Sequence, residues 1–105
     1  MATVIVDAEN VRRSLWPNLS RAELVKRARA WALDEGHTLR IVFDDGTPEE
    51  ADDLIGSDYA DDVIVRLANE LEGDVWVATS DRELRDRLGG NVVRVVGGGT
   101  FAREI

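Results

Sequence analysis

Residues 3–7, Thr3-Val4-Ile5-Val6-Asp7, decide the fold. Three consecutive β-branched apolar residues leave the strand no polar face. It is therefore expected to be covered on both sides, as in a parallel sheet flanked by helices. The run closes on a carboxylate. Ile41-Val42-Phe43-Asp44 repeats the pattern, and Val75-Trp76-Val77-Ala78 reaches Asp81 after Thr79-Ser80. The carboxyl ends of parallel strands share one edge, where ligands bind. Three strands are thus expected to deliver acids to one place.

Between these runs the apolar spacing becomes helical. Residues 8–19 read as a loop, with Trp16-Pro17-Asn18 as turn material. Ser20 and Glu23 form a capping box, Leu19 can staple onto Leu24, and Leu24, Val25, Ala28, Trp31 and Ala32 make one stripe that stops at Gly36. After the strand Leu39–Asp44, the acidic stretch with Gly46, Pro48 and Gly56 reads as a loop containing a short helical or extended piece. Tyr59 to Leu71 carries a 3.6-residue period through Ala60, Val63, Ile64, Leu67, Ala68 and Leu71. The strand Val75–Thr79 leads to Ser80 and Glu83, a second capping box, and a short helix ending at Gly89-Gly90. Val92–Val96 is the last strand. Gly97-Gly98-Gly99 reads as a tight connection to a tail without a clear helix. The expected fold is α/β: one domain over residues 1–105, a mainly parallel sheet with helices on both faces.

At 105 residues the chain can bury one core, and with no cysteine it has no disulfide or thiolate chemistry. No apolar stretch reaches the ~18 residues of a membrane span, and Met1-Ala2-Thr3 enters the first strand without a basic leader. A soluble, cytoplasmic protein is the expectation. The net charge of −8 argues against a general polyanion binder. That charge is local: residues 44–62 hold nine of the 21 acids and none of the 13 basic residues.

Helical phase separates two neighbouring acids. At about 100° per residue, Asp61 lies on the flank of the buried arc, able to face the sheet edge, whereas Asp62 points to solvent. Asp7, Asp61 and Asp81, with Asp44 or Asp45 nearby, are then expected to converge. Such a cluster suits Mg²⁺ or Mn²⁺ held by one or two carboxylates and several waters. The ion would lower the pKa of a water facing a phosphodiester and stabilise the departing oxygen. Each acid also has an ordinary structural reading. Asp81 in a first helical turn complements the dipole, Asp7 can cap a loop, and Asp44-Asp45-Gly46 is a common turn. Asn10 can orient a water or hold its loop.

Arg12 and Arg13 after the first strand, and Arg82 and Arg85 on the short helix, leave the same edge, where they can meet phosphates; surface arginines are also common. Trp16 can stack a base or pack over the helix entrance. Trp31 and Trp76 read as core, and His37 as a solvated or helix-dipole residue.

Four segments carry a resemblance. Val4-Ile5-Val6-Asp7-Ala8-Glu9-Asn10-Val11 resembles the opening strand of NYN domains, in which an Asp is followed three positions later by an Asn. Ile41-Val42-Phe43-Asp44 resembles their second strand, Tyr59-Ala60-Asp61-Asp62-Val63-Ile64 their Ala-Asp-(Asp/Glu) helix start, and Ala78-Thr79-Ser80-Asp81 their Thr-Ser-Asp. Gly98-Gly99-Thr100-Phe101 resembles the tail of the YacP-like subgroup. These domains belong to the PIN-like nucleases. The resemblance implies a metal-dependent ribonuclease with Asp7, Asp61 and Asp81 as metal-binding and catalytic acids and Asp44 as a further ligand. It also implies that Asn10 positions substrate or a metal-bound water and that Ser80 supports the site. Two departures stand out. The segment between Asp44 and Asp61 is short, where an extra strand is expected, with Leu54-Ile55 as its remnant. Ala8-Glu9 replaces a frequent Gly-Tyr and adds a carboxylate.

The expected function is therefore a Mg²⁺/Mn²⁺-dependent endoribonuclease, its RNA delivered by the ribosome or an RNA-binding protein because the chain is acidic. Arg12, Arg13 and Arg82, with Asn10 and Ser80, are its expected substrate contacts. The rivals are a non-catalytic RNA- or protein-binding domain of the same architecture and a phosphoacceptor signalling domain. The latter needs a Lys near the end of the last strand, where this chain has Arg94 and glycines.

Overall fold

Alternate residues of the first strand enter two separate cores. In the computed structural model, which describes Met1 to Ile105, β1 (Thr3–Asp7) sends Val4 and Val6 into one apolar cluster and Ile5 into the other. All three are fully buried, each contributing roughly 1.5–3 kcal/mol, so the strand is held from both sides at the centre of the sheet.

The remaining elements are α1 (Ala8–Arg12), α2 (Arg21–Glu35), β2 (Thr38–Asp44), β3 (Leu54–Ser57), α3 (Ala60–Glu70), β4 (Val75–Ala78), α4 (Arg82–Arg87), β5 (Val92–Val96) and α5 (Gly98–Glu104). The strands lie in the order β3-β2-β1-β4-β5 and every pairing is parallel. Helices α1, α2 and α5 cover the Val4/Val6 face with Val11, Leu24 and Phe101. Helices α3 and α4 cover the Ile5 face with Ile64 and Leu84. The expected sheet with helices on both faces is thus present. The direction of strand succession reverses between β1 and β4, which opens a crevice at their carboxyl ends. No helix is long and apolar enough to cross a membrane.

The cap of α2 is as expected: Ser20 Oγ accepts from the Glu23 N–H at 3.1 Å, and Gly36 takes φ 75° with its N–H on the last carbonyls. The Glu23 side chain does not reach back to Ser20; it pairs with Arg27 at 2.9 Å.

Several expectations are corrected. The loop expected over residues 8–19 begins with α1, a single turn too short to display a period, held because Ala8 and Val11 are buried. The glycine run leads into α5, not an irregular tail. Its glycines disfavour helix, but burial of Phe101 and Ala102 against the first core outweighs that cost. The extended piece expected in the acidic stretch, by contrast, is present as β3, an edge strand on β2, where Gly56 leaves no room for a Cβ 2.5 Å from the Asp45 carbonyl.

Trp16 does not pack over the start of α2; it is exposed, while its neighbours Leu15 and Leu19 pack against the first core. His37 is half-buried rather than freely solvated. Its ring lies between Trp31 and Trp76, with centroids at 5.2 and 4.6 Å, and its Nδ1 accepts from the Ala2 N–H at 3.0 Å. This ties down the amino-terminal edge of the sheet, opposite the strand ends that carry the acids.

Candidate active site: a carboxylate groove at the strand ends

Asp7 is the last residue of β1 and is almost wholly buried. Its Oδ2 accepts the Thr79 hydroxyl at 2.8 Å, and Thr79 Oγ1 in turn accepts the Asp81 N–H at 3.1 Å. Thr79, fully buried just after β4, therefore joins the first and third acids across the β1/β4 crevice. Burial pushes the Asp7 carboxyl up to about 6, opposed by the Thr79 hydrogen bond and reinforced by the charges of Asp61, Asp44 and Asp81. Asp61 is raised as well, first by burial and then by Asp81 and Asp44. The four acids named from sequence thus act on one another through space.

They line one open cavity of about 830 Å³ together with Glu9, Asn10, Arg13, Ser14, Asp58, Tyr59, Ala60, Asp62 and Arg87. Seven acids face two arginines there, an arrangement that attracts cations and repels unaccompanied phosphate. The phase of α3 is as expected: Asp61 is half-buried and Asp62 exposed. Asp62 is not simply solvated, however. Its Oδ1 pairs with Arg87 Nη2 at 2.6 Å, which brings Arg87 to the cavity rim.

Asp81, not Ser80, caps α4: its Oδ1 accepts from the Leu84 N–H at 3.2 Å. The expected Ser80–Glu83 box fails because the Ser80 hydroxyl is engaged elsewhere, accepting from the Gly98 N–H at 2.7 Å. The Ser80 N–H donates to Asn10 Oδ1 at 2.8 Å. Asn10, Ser80 and Gly98 thus lock α1, the β4–α4 turn and the start of α5 together. A Cβ on Gly98 would collide with Asn10 Oδ1 and sit 2.7 Å from Ser14 Oγ. Asn10 reaches the cavity; Ser80 does not line it.

The arginines divide. Arg12 is bound to Glu9 at 2.7 Å and to the Leu19 carbonyl at 3.1 Å, so it does not face the cavity. Arg82 lies with Arg85, Asp86 and Val95 in a separate depression beside β5. Of the four arginines expected to meet phosphates, only Arg13 lines the carboxylate cavity. Glu9 is not one more free acid either. It is buried beneath Arg12, Arg13 and Arg21, at 2.7, 3.4 and 3.0 Å, so its charge is neutralised and only Arg13 of the three lines the groove. Thr79, Tyr59 and Arg87 were missed by sequence reasoning. Thr79 had a signal, as a hydroxyl between a buried strand and a capping acid; Arg87 had none.

The donor chemistry is all oxygen and suits a hard divalent cation. No three of these side chains close on a single ion, as mutually repelling carboxylates are expected to behave. The set fits a hydrated Mg²⁺ or Mn²⁺ touching one or two carboxylates, and does not fit a dehydrated cage. No family model, curated protein or solved structure matches this chain.

Proposed function

We propose that this protein is a Mg²⁺- or Mn²⁺-dependent endoribonuclease of the NYN type, in the PIN-like superfamily. The observation that carries the reading is Asp7, buried at the β1/β4 switch point and raised to about 6 by its own burial and by Asp61, Asp44 and Asp81. Perturbed acids gathered in a cleft mark functional sites. No sulfur nucleophile exists in the chain, and the single histidine is held at the opposite edge of the sheet. Hydrolysis by an activated water is the chemistry these residues suit.

One or two of Asp7, Asp61 and Asp81 would touch the ion and the remaining acids would hold its water shell, with Asp44 at the rim. When bound, it supplies a water of lowered pKa and positive charge for the departing oxygen. Thr79 fixes Asp7 through Oδ2 and leaves Oδ1 without a protein partner. Asp81 spends Oδ1 on the helix cap and keeps Oδ2 for the groove. Arg13 and Arg87, the two arginines that line the groove, are the residues that would meet substrate phosphates. The acidic surface is consistent with RNA brought by a ribosome or an RNA-binding protein.

The test is incubation with single-stranded and structured RNA in Mn²⁺ or in EDTA. EDTA-sensitive cleavage, lost in Asp7→Asn, supports the reading; cleavage unaffected by both removes it. One observation favours the non-catalytic rival, since no three carboxylates close on an ion. That rival gives RNA or protein binding without turnover in either condition.

A further inference from the structure

Tyr59 stands at the mouth of the carboxylate groove with its backbone fixed and its ring free. Its N–H donates to Ser57 Oγ at 3.0 Å, and its carbonyl accepts from the Val63 N–H at 3.1 Å, so the residue is pinned between β3 and α3. Its side chain makes no capping bond and is 72% exposed. It is the only large apolar side chain among the residues lining the groove. A largely exposed aromatic ring among mostly charged and polar neighbours contributes little to packing there.

The two walls come from opposite faces of the sheet. Arg13 follows α1 on the Val4/Val6 face, and Tyr59 precedes α3 on the Ile5 face. A chain lying across the strand ends therefore meets a guanidinium on one side and a ring on the other, with Asp7, Asp61 and Asp81 between them. Aromatic rings take any unpaired base through its π-face, whereas a base inside a duplex keeps both faces covered.

We infer that Tyr59 is a stacking platform for one unpaired base of the RNA that the groove would take. This inference rests on the ribonuclease reading of the same site. Tyr59 is a substrate-contacting residue that leaves the chemistry to the acids.

The experiment measures binding of a fluorescein-labelled RNA dodecamer and its blunt duplex, with Ca²⁺ in place of Mn²⁺, to the wild type, Tyr59→Phe, Tyr59→Ala and Trp16→Ala. Tyr59→Ala is expected to weaken single-strand binding roughly 5- to 150-fold, the range for one stacked base, and to leave duplex binding unchanged. Tyr59→Phe keeps the ring and is expected to bind as the wild type. A 2-aminopurine base in the strand is expected to be quenched by the wild type and Tyr59→Phe, and not by Tyr59→Ala.

Equal losses on both RNAs, no loss at Tyr59→Ala, a loss confined to Trp16→Ala, or no single-strand binding at all would overturn the inference. Tyr59-dependent binding without Mn²⁺-dependent cleavage leaves the platform standing and removes the nuclease. Cleavage indifferent to Tyr59 does the reverse.

Discussion

The Thr79 hydroxyl donates to Asp7 Oδ2 at 2.8 Å, inside the sheet edge and out of reach of water. The same oxygen accepts the Asp81 N–H. One buried side chain therefore links the acid that ends β1 to the acid that caps α4. Its bond also moderates the rise in the Asp7 pKa that burial imposes.

Replacing Thr79 by Val keeps the shape and removes this link. Asp7 Oδ2 and the Asp81 N–H both lose their partner, and an unsatisfied buried group costs about 1–3 kcal/mol. Thr79→Val is expected to lose about 2–4 kcal/mol in chemical denaturation at neutral pH, with Thr79→Ser recovering most of it. A Thr79→Val protein as stable as the wild type would mean that the bond does not form.

Asp7 itself opposes folding when ionised. Its folded pKa, about 6, lies above the ordinary value of 3.8. Its favourable contribution is fully present below pH 3.8 and is lost as pH rises through 6. A shift of this size corresponds to about 3 kcal/mol as an upper bound. Asp7→Asn keeps an acceptor for Thr79 and cannot ionise. In metal-free buffer it is expected to be more stable than the wild type by about 1–3 kcal/mol above pH 6.5, with no advantage below pH 4. The difference between the two curves is the readout. The wild-type curve alone also contains Asp53, whose carboxyl Arg29 holds below its usual range and which loses stability as pH falls.

Glu9 holds three arginines from a buried position. Glu9→Gln leaves those charges facing one another. Removing one partner of a fully buried pair costs about 3–5 kcal/mol. Arg13 and Arg21 reach solvent, so a loss of about 2 kcal/mol is expected here, larger at low salt than at high salt. Denaturation curves at two ionic strengths check both the size and the direction.

Gly98 has no room for a side chain between Asn10 and Ser14. Gly98→Ala is expected to break the Asn10–Ser80–Gly98 tie, at about 1–3 kcal/mol. Gly99→Ala, whose Cβ would meet only the flexible end of Arg103 and the edge of Ser14 at 3.4 Å or more, is expected to be milder. Equal melting temperatures for the two variants would contradict the packing described.

The central strands and the long helices were legible because they are repetitive. Continuous apolar runs marked β1, β2 and β4, and a 3.6-residue period both marked α3 and separated Asp61 from Asp62. Among the short elements, β3 and α4 were anticipated, but α1 and α5 were not. A single turn such as α1 has no period, and α5 begins in glycines whose propensity opposes it, so only tertiary burial of Val11 and Phe101 holds them. The meeting of the acids could be anticipated from parallel strand ends. The fate of their neighbours depended on contacts remote in sequence: Gly98 drew Ser80 away from capping, and Arg21 helped to neutralise Glu9. The pairing of Arg87 with Asp62 joins two helices with no local signal.

The most direct measurement is the rate of RNA cleavage in Mn²⁺ by the wild type, Asp61→Asn and Asp62→Asn. An acid that holds the ion is worth several kcal/mol, so Asp61→Asn is expected to lose roughly 100-fold or more. Asp62 is exposed and pairs with Arg87 at the rim, so Asp62→Asn is expected to change the rate by less than about fivefold. Equal loss at both positions, or an undiminished rate in Asp61→Asn, would contradict the account.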